Sequence, residues 1–144
     1  MITLISILLI AIFLFLSGIH IYWAFGGTWG SEAVIPTNSN KVKVMAPGLI
    51  ATLIVAFGLL GFGVVVLLNI IDTEYKMPGW LYSINKFGLW AIASIFSLRA
   101  VGDFKYVGFL KKIRNTPFGK NDTKYYSPLC FVIGVLAIIL ILKK

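Results

Sequence analysis

The stretch of sequence that decides the fold is ITLISILLIAIFLFLSGIHIYWAF, residues 2–25, which contains no charged side chain. A hydrophobic stretch of about 18 residues or more is long enough to cross a bilayer as a helix. Three further apolar runs follow it along the chain. The sequence therefore predicts four helices, at about residues 2–25, 47–71, 80–104 and 127–143.

The composition supports the same fold class. Of the 144 residues, 59% are hydrophobic and 12% are charged, and the mean hydropathy is +0.94. Soluble domains contain about 25% charged residues, so this chain has roughly half the usual share. We therefore expect an all-α integral membrane bundle of four transmembrane helices that forms a single domain, residues 1–144.

The third predicted helix carries three charged side chains, Lys86, Arg99 and Asp103. An ionisable residue inside a membrane span is costly, so it normally faces protein or a water-filled cavity and marks a functional site. Arg99 and Asp103 are four residues apart, a spacing that predicts an ion pair on one face of a helix. The alternative is a purely structural pair that fixes the rotation of this helix in the bundle.

Positive charges concentrate in the two longer predicted loops, 26–46 and 105–126, which contain eight lysine and arginine residues against four on the opposite side. By the positive-inside rule, we expect these loops in the cytoplasm and both termini outside, in a bacterial inner membrane. The net charge of +8 suits anionic lipid headgroups. We therefore expect membrane lipids as partners and no nucleic acid.

Several polar and aromatic residues are predicted to converge near the basic loops. His20 and Arg99 each lie about one turn before the end of a helix that finishes on this side, and the glycine-rich loop after the first helix can fold back over them. His20 is the candidate catalytic residue, and the candidate ligand-binding residues are His20, Trp23, Trp29, Arg99, Asp103 and Tyr106. The alternatives are a histidine that only bonds a backbone carbonyl or water, and tryptophans that only form an interfacial aromatic belt.

Three glycines of the second predicted helix, Gly58, Gly61 and Gly63, predict close packing of a neighbouring helix. Other patterns exclude whole classes of chemistry. The single cysteine, Cys130, excludes an internal disulfide and a cysteine-built metal cluster. One histidine excludes a zinc site or a bis-histidine haem, and no phosphate-binding, dinucleotide or serine-hydrolase motif is present. We therefore expect no metal and no cofactor.

Three stretches together carry a family resemblance: HIYWAFGGTWG at 20–30, RAVGDFKYVGF at 99–109 and YSPLC at 126–130. They resemble a bacterial family of membrane proteins known as domain of unknown function 3995, and the resemblance covers essentially the whole chain. It implies a four-helix membrane protein of bacteria and supplies no activity to transfer. The stretches that carry the resemblance include His20, Trp23, Arg99 and Asp103. These are the same residues that the argument from the cost of polar groups in a membrane indicates.

Two classes of function remain open from the sequence. In the first, a pocket at the basic end binds an anionic or amphiphilic small molecule such as a lipid, an isoprenoid or a quinone. Arg99 would hold the anionic group, His20 would donate a hydrogen bond or carry a proton, and Trp23 would form an apolar wall. In the second, the protein is a small transporter or an accessory or structural subunit without ligand chemistry of its own. Enzymatic activity and assembly into a homo-oligomer are left open.

Overall fold

The computed structural model describes residues 1–36, 47–74 and 76–143. These residues form helices and connecting loops, and none of them belongs to a β-strand. In chain order the helices are α1 (Ile2–Ala24), α2 (Ser31–Val34), α3 (Leu49–Glu74), α4 (Gly79–Val101), α5 (Pro117–Asn121) and α6 (Ser127–Leu142), with a π-helical turn at Asp122–Tyr126 that joins α5 to α6.

The segments that contain α1, α3, α4 and α6 are each long and apolar enough to cross a membrane, which confirms the predicted all-α bundle of four such helices. Three helix limits differ clearly from the prediction, and the first is the end of α3, at Glu74 instead of 71. Helix α4 ends early, at Val101, because Gly102 has φ +91°, which favours glycine. Helical structure in the last segment begins early, at Pro117, because Thr116 Oγ1 caps the turn by accepting the N–H of Gly119 at 3.0 Å.

The four long helices are arranged as two pairs. Helix α1 packs mainly against α3, where Ser17 Oγ donates a hydrogen bond to the carbonyl oxygen of Ala56 at 2.8 Å. Helix α4 packs mainly against α6, where a Cβ atom at Gly134 would lie only 2.7 Å from Ser97 Oγ. The two pairs contact each other less extensively. This arrangement leaves room for a cavity between the α1–α3 pair and the α4–α6 pair.

The prediction that Gly58, Gly61 and Gly63 allow close helix packing is wrong for Gly58 and Gly61, whereas Gly63 is buried against Phe13 of α1. No described atom lies within 4 Å of a Cβ built at Gly58 or Gly61, and the nearest atom to one at Gly63 is at an ordinary 3.7 Å. Close approach occurs instead at Gly88 of α4, where a Cβ would lie 2.7 Å from the side chain of Val65. Gly58 and Gly61 therefore mark open positions on α3.

Three phenylalanines, Phe13, Phe62 and Phe96, join the two pairs near the middle of the bundle. The ring centroids are 5.8 Å apart for Phe13 and Phe62, 5.6 Å for Phe13 and Phe96, and 6.1 Å for Phe62 and Phe96. These separations lie within the range at which aromatic rings attract each other. We call these three residues the aromatic triad; Phe13 is fully buried within it.

Helices α1 and α4 end where α3 and α6 begin, and we call this side of the molecule the loop-rich end. Helix α2 folds back here and packs against α5. Tyr126 Oη, in the π-helical turn, donates a hydrogen bond to the carbonyl oxygen of Ala33 in α2 at 3.3 Å. The loop after α1 is thereby tied to the segment that precedes α6.

Candidate functional site

A cavity of about 690 Å³ lies at the loop-rich end and is lined by all four long helices. Its walls are mostly aliphatic and aromatic, and Phe62 and Phe96 of the aromatic triad belong to them. The loop after α1 contributes Trp29 and Gly30 to the lining. This volume falls within the range of ligand pockets, about 300–1,000 Å³, and such pockets are mostly apolar with a few polar groups.

His20 lies on the cavity wall contributed by α1. Its Nδ1 lies 2.7 Å from the carbonyl oxygen of Leu16, one helical turn earlier. Because a carbonyl oxygen can only accept, Nδ1 carries a proton, and Nε2 of the neutral ring is an acceptor. Nε2 has no hydrogen-bond partner among the described residues. This contact with a backbone carbonyl is the one expected if His20 had only a structural role. It nevertheless leaves Nε2 available for a ligand.

Trp23 and Trp29 hold the glycine-rich loop against α1. Trp23 Nε1 donates to the carbonyl oxygen of Trp29 at 2.8 Å, and the N–H of Trp29 donates to Tyr22 Oη at 3.4 Å. Gly27 lies on the ring of Tyr22 so closely that a Cβ there would overlap it. The rings of His20 and Trp23 are in a T-shaped arrangement, with centroids 5.2 Å apart. The loop therefore folds back toward His20, as expected from the sequence.

The predicted ion pair between Arg99 and Asp103 is wrong. Arg99 Nη2 instead donates to Asp122 Oδ1 at 3.0 Å. The i, i+4 argument fails because α4 ends at Val101 and Gly102 reverses the chain, so Asp103 does not continue the helical face of Arg99. The correct partner lies 23 residues further along the sequence.

Asp103 organises the loop that follows α4. Its Oδ1 accepts the backbone N–H groups of Lys105, Tyr106 and Val107 at 2.9, 2.7 and 2.9 Å. Burial by itself would raise the pKa of Asp103, but these donors favour the carboxylate, so that the pKa lies below its ordinary value of 3.8. Asp103 is therefore a structural group of an exposed loop.

Asp122 is the polar centre of the loop-rich end, and the sequence analysis missed it. The residue is fully buried, and its Oδ2 accepts three hydrogen bonds: from Lys111 Nζ at 2.8 Å, from the N–H of Gly108 at 2.9 Å and from Ser127 Oγ at 2.9 Å. With Arg99 on Oδ1, the carboxylate has four donors. One signal existed in the sequence: Asp122 is the single acidic residue among six lysine and arginine residues in 104–126.

Lys111 is the fixed cation of this cluster. Its side chain is fully buried, and Nζ also donates to the carbonyl oxygen of Gly108 at 2.9 Å and to Thr123 Oγ1 at 2.7 Å. The three acceptors satisfy all three donors of an ammonium group. Lys111 therefore has no donor left for a ligand.

Arg99 is the second cation of this cluster, and its hydrogen bonds are incomplete. Its guanidinium is bound through Nη2 alone, 34% of its side chain is exposed, and it lines the cavity. Nη1 is covered by surrounding atoms and has no hydrogen-bond partner. Two cations share the single carboxylate of Asp122, so the cluster has a net charge of +1. The excess charge and the unused hydrogen-bonding capacity of Arg99 both lie beside an apolar cavity.

The structure brings four of the six candidate ligand-binding residues to one cavity: His20, Trp23, Trp29 and Arg99 all line it. Asp103 and Tyr106 are not part of the lining, because both belong to the loop folded around the carboxylate of Asp103. Within residues 1–36, 47–74 and 76–143, no three histidine, cysteine, aspartate or glutamate side chains form a group able to hold a metal ion.

Comparison with known proteins identifies a family and no activity. Neither the curated proteins nor the solved structures include a match to this chain. The family model described as protein of unknown function (DUF3995) matches residues 13–137, a region that contains most of α1 and all of α3 and α4. The chain therefore belongs to the DUF3995 family of proteins of unknown function.

Proposed function

We propose that this protein binds an anionic amphiphile, with the anionic headgroup at Arg99 and the apolar chain in the cavity. The observation that carries the proposal is the position of Arg99, a cation with unused donors at the edge of an apolar cavity of about 690 Å³. An arginine has five N–H donors, and here a single one contacts Asp122. Because Nη1 is covered by surrounding atoms, a phosphate or carboxylate group would bind the part of the guanidinium that is exposed.

The headgroup supplies the selectivity in this proposal. A lipid chain that leaves the bilayer for an apolar cavity gains little free energy, because its surroundings are apolar in both places. A hydrogen bond from Arg99 to a charged oxygen contributes about 1.5–3 kcal/mol, and the phosphate of an anionic or a zwitterionic lipid can accept it. The preference for an anionic lipid comes from net charge, because the cation of a zwitterionic headgroup is repelled by the net charge of +1 of the Arg99, Lys111 and Asp122 cluster. The basic loops at this end add a longer-range attraction for anionic lipids.

His20 is the second polar group of the proposed site. With Nδ1 committed to the carbonyl oxygen of Leu16, the neutral ring offers Nε2 as an acceptor for a hydroxyl group of the headgroup. His20 thus serves as a hydrogen-bond partner or a proton carrier opposite Arg99.

The proposal includes a location and an orientation. Four apolar helices indicate a membrane protein. We infer a bacterial inner membrane with the loop-rich end in the cytoplasm, because the eight-to-four excess of lysine and arginine lies on that side. In this orientation the headgroup of the ligand lies at the cytoplasmic surface, where anionic lipids and the basic loops meet.

The sole cysteine provides a direct test, because Cys130 lines the cavity. The protein is reconstituted in phosphatidylcholine vesicles with or without phosphatidylglycerol, and the rate of Cys130 alkylation by N-ethylmaleimide is measured by mass spectrometry. We expect phosphatidylglycerol to slow alkylation of the wild-type protein several-fold. We expect Arg99→Gln to abolish this protection and Arg99→Lys to retain part of it.

Arg114→Gln is the matched control. Arg114 is the other arginine of the chain, lies at the same end and donates only to the carbonyl oxygens of Lys111 and Phe109. Its loss removes the same formal charge without touching the cavity, so protection should persist. Equal alkylation rates of the wild-type protein in both kinds of vesicle would overturn the proposal and leave the accessory-subunit alternative.

A further inference from the structure

A groove on the outside of α1 adjoins the cavity. It has a volume of about 460 Å³ and is lined by Leu14, Phe15, Gly18, Ile19, Tyr22 and Trp29. Leu14, Phe15 and Trp29 are 51%, 66% and 70% exposed, so the groove faces outward. Phe15, Ile19 and Trp29 line the cavity as well. The groove and the cavity therefore share a wall.

Two residues favour entry through this wall. A Cβ built at Gly18 meets no described atom within 4 Å, so the groove has free space on the outer side of α1 at that point. The backbone of Trp29 is held at both its N–H and its carbonyl oxygen, but its indole has no hydrogen-bond partner among the described residues. The indole can turn without breaking the contacts that fix its loop.

The depth of the cavity argues for a lateral opening. His20 and Phe13 of the aromatic triad are seven residues apart, which is about 10 Å along a helix. A lipid chain extends through half of the hydrocarbon core, about 15 Å. An extended chain whose headgroup lies beside His20 and Arg99 is therefore longer than this distance, and a lateral opening would accommodate its end. The groove lies at the corresponding depth, on a helix face surrounded by lipid.

We propose that the groove along Leu14, Gly18 and Tyr22 is the lateral entrance through which the fatty chain of a bilayer lipid reaches the cavity. This inference rests on the proposed function, and it specifies the ligand as a chain-bearing lipid that arrives from the membrane. A water-soluble amphiphile would enter from the loop-rich end without crossing the groove. Trp29 forms the movable wall between groove and cavity.

The test compares two reagents that alkylate Cys130 in phosphatidylcholine vesicles. N-hexadecylmaleimide partitions into the bilayer and mimics a lipid chain, whereas N-ethylmaleimide is small and enters by any path. Gly18→Leu fills the groove, and we expect it to slow alkylation by the long-chain reagent several-fold while alkylation by the short reagent changes less than twofold. Trp29→Ala should change the long-chain rate in the opposite direction, since it removes the wall.

Gly61→Leu is the matched control, because Gly61 is also an exposed helical glycine with no described atom within 4 Å of its Cβ position, and it lines neither the groove nor the cavity. Its ratio of long-chain to short-chain rates should equal that of the wild type. An unchanged ratio in Gly18→Leu, or equal slowing with both reagents, would overturn the lateral entrance. A change in oligomeric state in Gly18→Leu with an unchanged ratio would assign the groove to a second copy of the chain. None of these outcomes depends on protection by phosphatidylglycerol, so the entrance and the proposed function can fail separately.

Discussion

Asp103 and Asp122 lie at the same end of the molecule and have opposite surroundings. Asp103 is exposed, and three N–H groups of its own loop bind one of its oxygens. Asp122 is fully buried between Arg99 and Lys111, and its four donors come from three separate parts of the chain. The first carboxylate stabilises a local turn, whereas the second connects α4, the loop after it and the start of α6.

The difference shows that the end of a helix can decide which charges meet. On a continued helix, Asp103 would lie above Arg99 and Asp122 would lose one of its cations. Gly102 ends α4 instead, and the loop that Asp103 then closes brings Gly108 and Lys111 to Asp122. The hydrogen bonds of Asp103 thus help to place the groups that bind Asp122.

The largest effect is expected from Asp122→Asn. The change leaves Arg99 and Lys111 without a counter-charge in a buried site, and breaking one partner of a buried ion pair costs about 3–5 kcal/mol. The free energy of unfolding, measured by circular dichroism in mixed detergent micelles, should fall by that amount. Adding Lys111→Met should recover part of the loss, because the buried cation is then removed as well. A loss below about 1 kcal/mol, as for an exposed pair, would place Asp122 in contact with water.

A smaller effect is expected from Asp103→Asn, which keeps an acceptor oxygen but removes the charge that strengthens three hydrogen bonds. Because the loop is exposed, we expect a loss of about 1 kcal/mol or less at pH 7. Because the pKa of Asp103 is lower in the folded protein than in the unfolded chain, the stabilisation is complete above the ordinary value of 3.8 and is lost as the pH falls through the folded pKa.

Unfolding of both proteins across pH 2 to 7 checks this dependence, since the difference between wild type and Asp103→Asn should be constant at the upper end of the range and disappear at the lower end. A difference that grows as the pH falls would have the wrong sign. Asn115→Asp is a control for the general effect of charge. It adds a negative charge to the same exposed loop, at a position that none of the three N–H groups contacts.

The smallest expected effect is a coupling near zero between Arg99 and Asp103. In a double-mutant cycle of Arg99→Gln and Asp103→Asn, the losses should add within about 0.5 kcal/mol, because the two side chains share no contact and Asp103→Asn keeps the acceptor oxygen that closes the loop. The same cycle with Asp122→Asn should show strong coupling, since those residues are bonded at 3.0 Å. If the coupling energy between Arg99 and Asp103 were as large as that between Arg99 and Asp122, the ion pair predicted from the sequence would be supported after all.

The sequence was sufficient for what depends on composition and helix length. Four apolar runs predicted α1, α3, α4 and α6, and the position of His20 and Arg99 near the ends of their helices predicted that they lie at one end. Which carboxylate pairs with Arg99 depends on the conformation of Gly102 and on the long loop that follows it. Neither feature produces a periodic pattern in the sequence. Gly58 and Gly61 of α3 were misjudged for a related reason, because spacing alone does not tell which face of a helix its neighbour covers.

The aromatic triad sets a limit on what the cavity can do in the two halves of a membrane. Phe13 lies eleven residues before the end of α1, about 16 Å along the helix, which is half the thickness of the hydrocarbon core. Beyond it the bundle is closed by packed side chains, including Leu9, Val66 and Leu140. Under the proposed function, a lipid in the cavity would therefore be confined to one leaflet. Its passage to the other leaflet would require the three rings of the aromatic triad to separate.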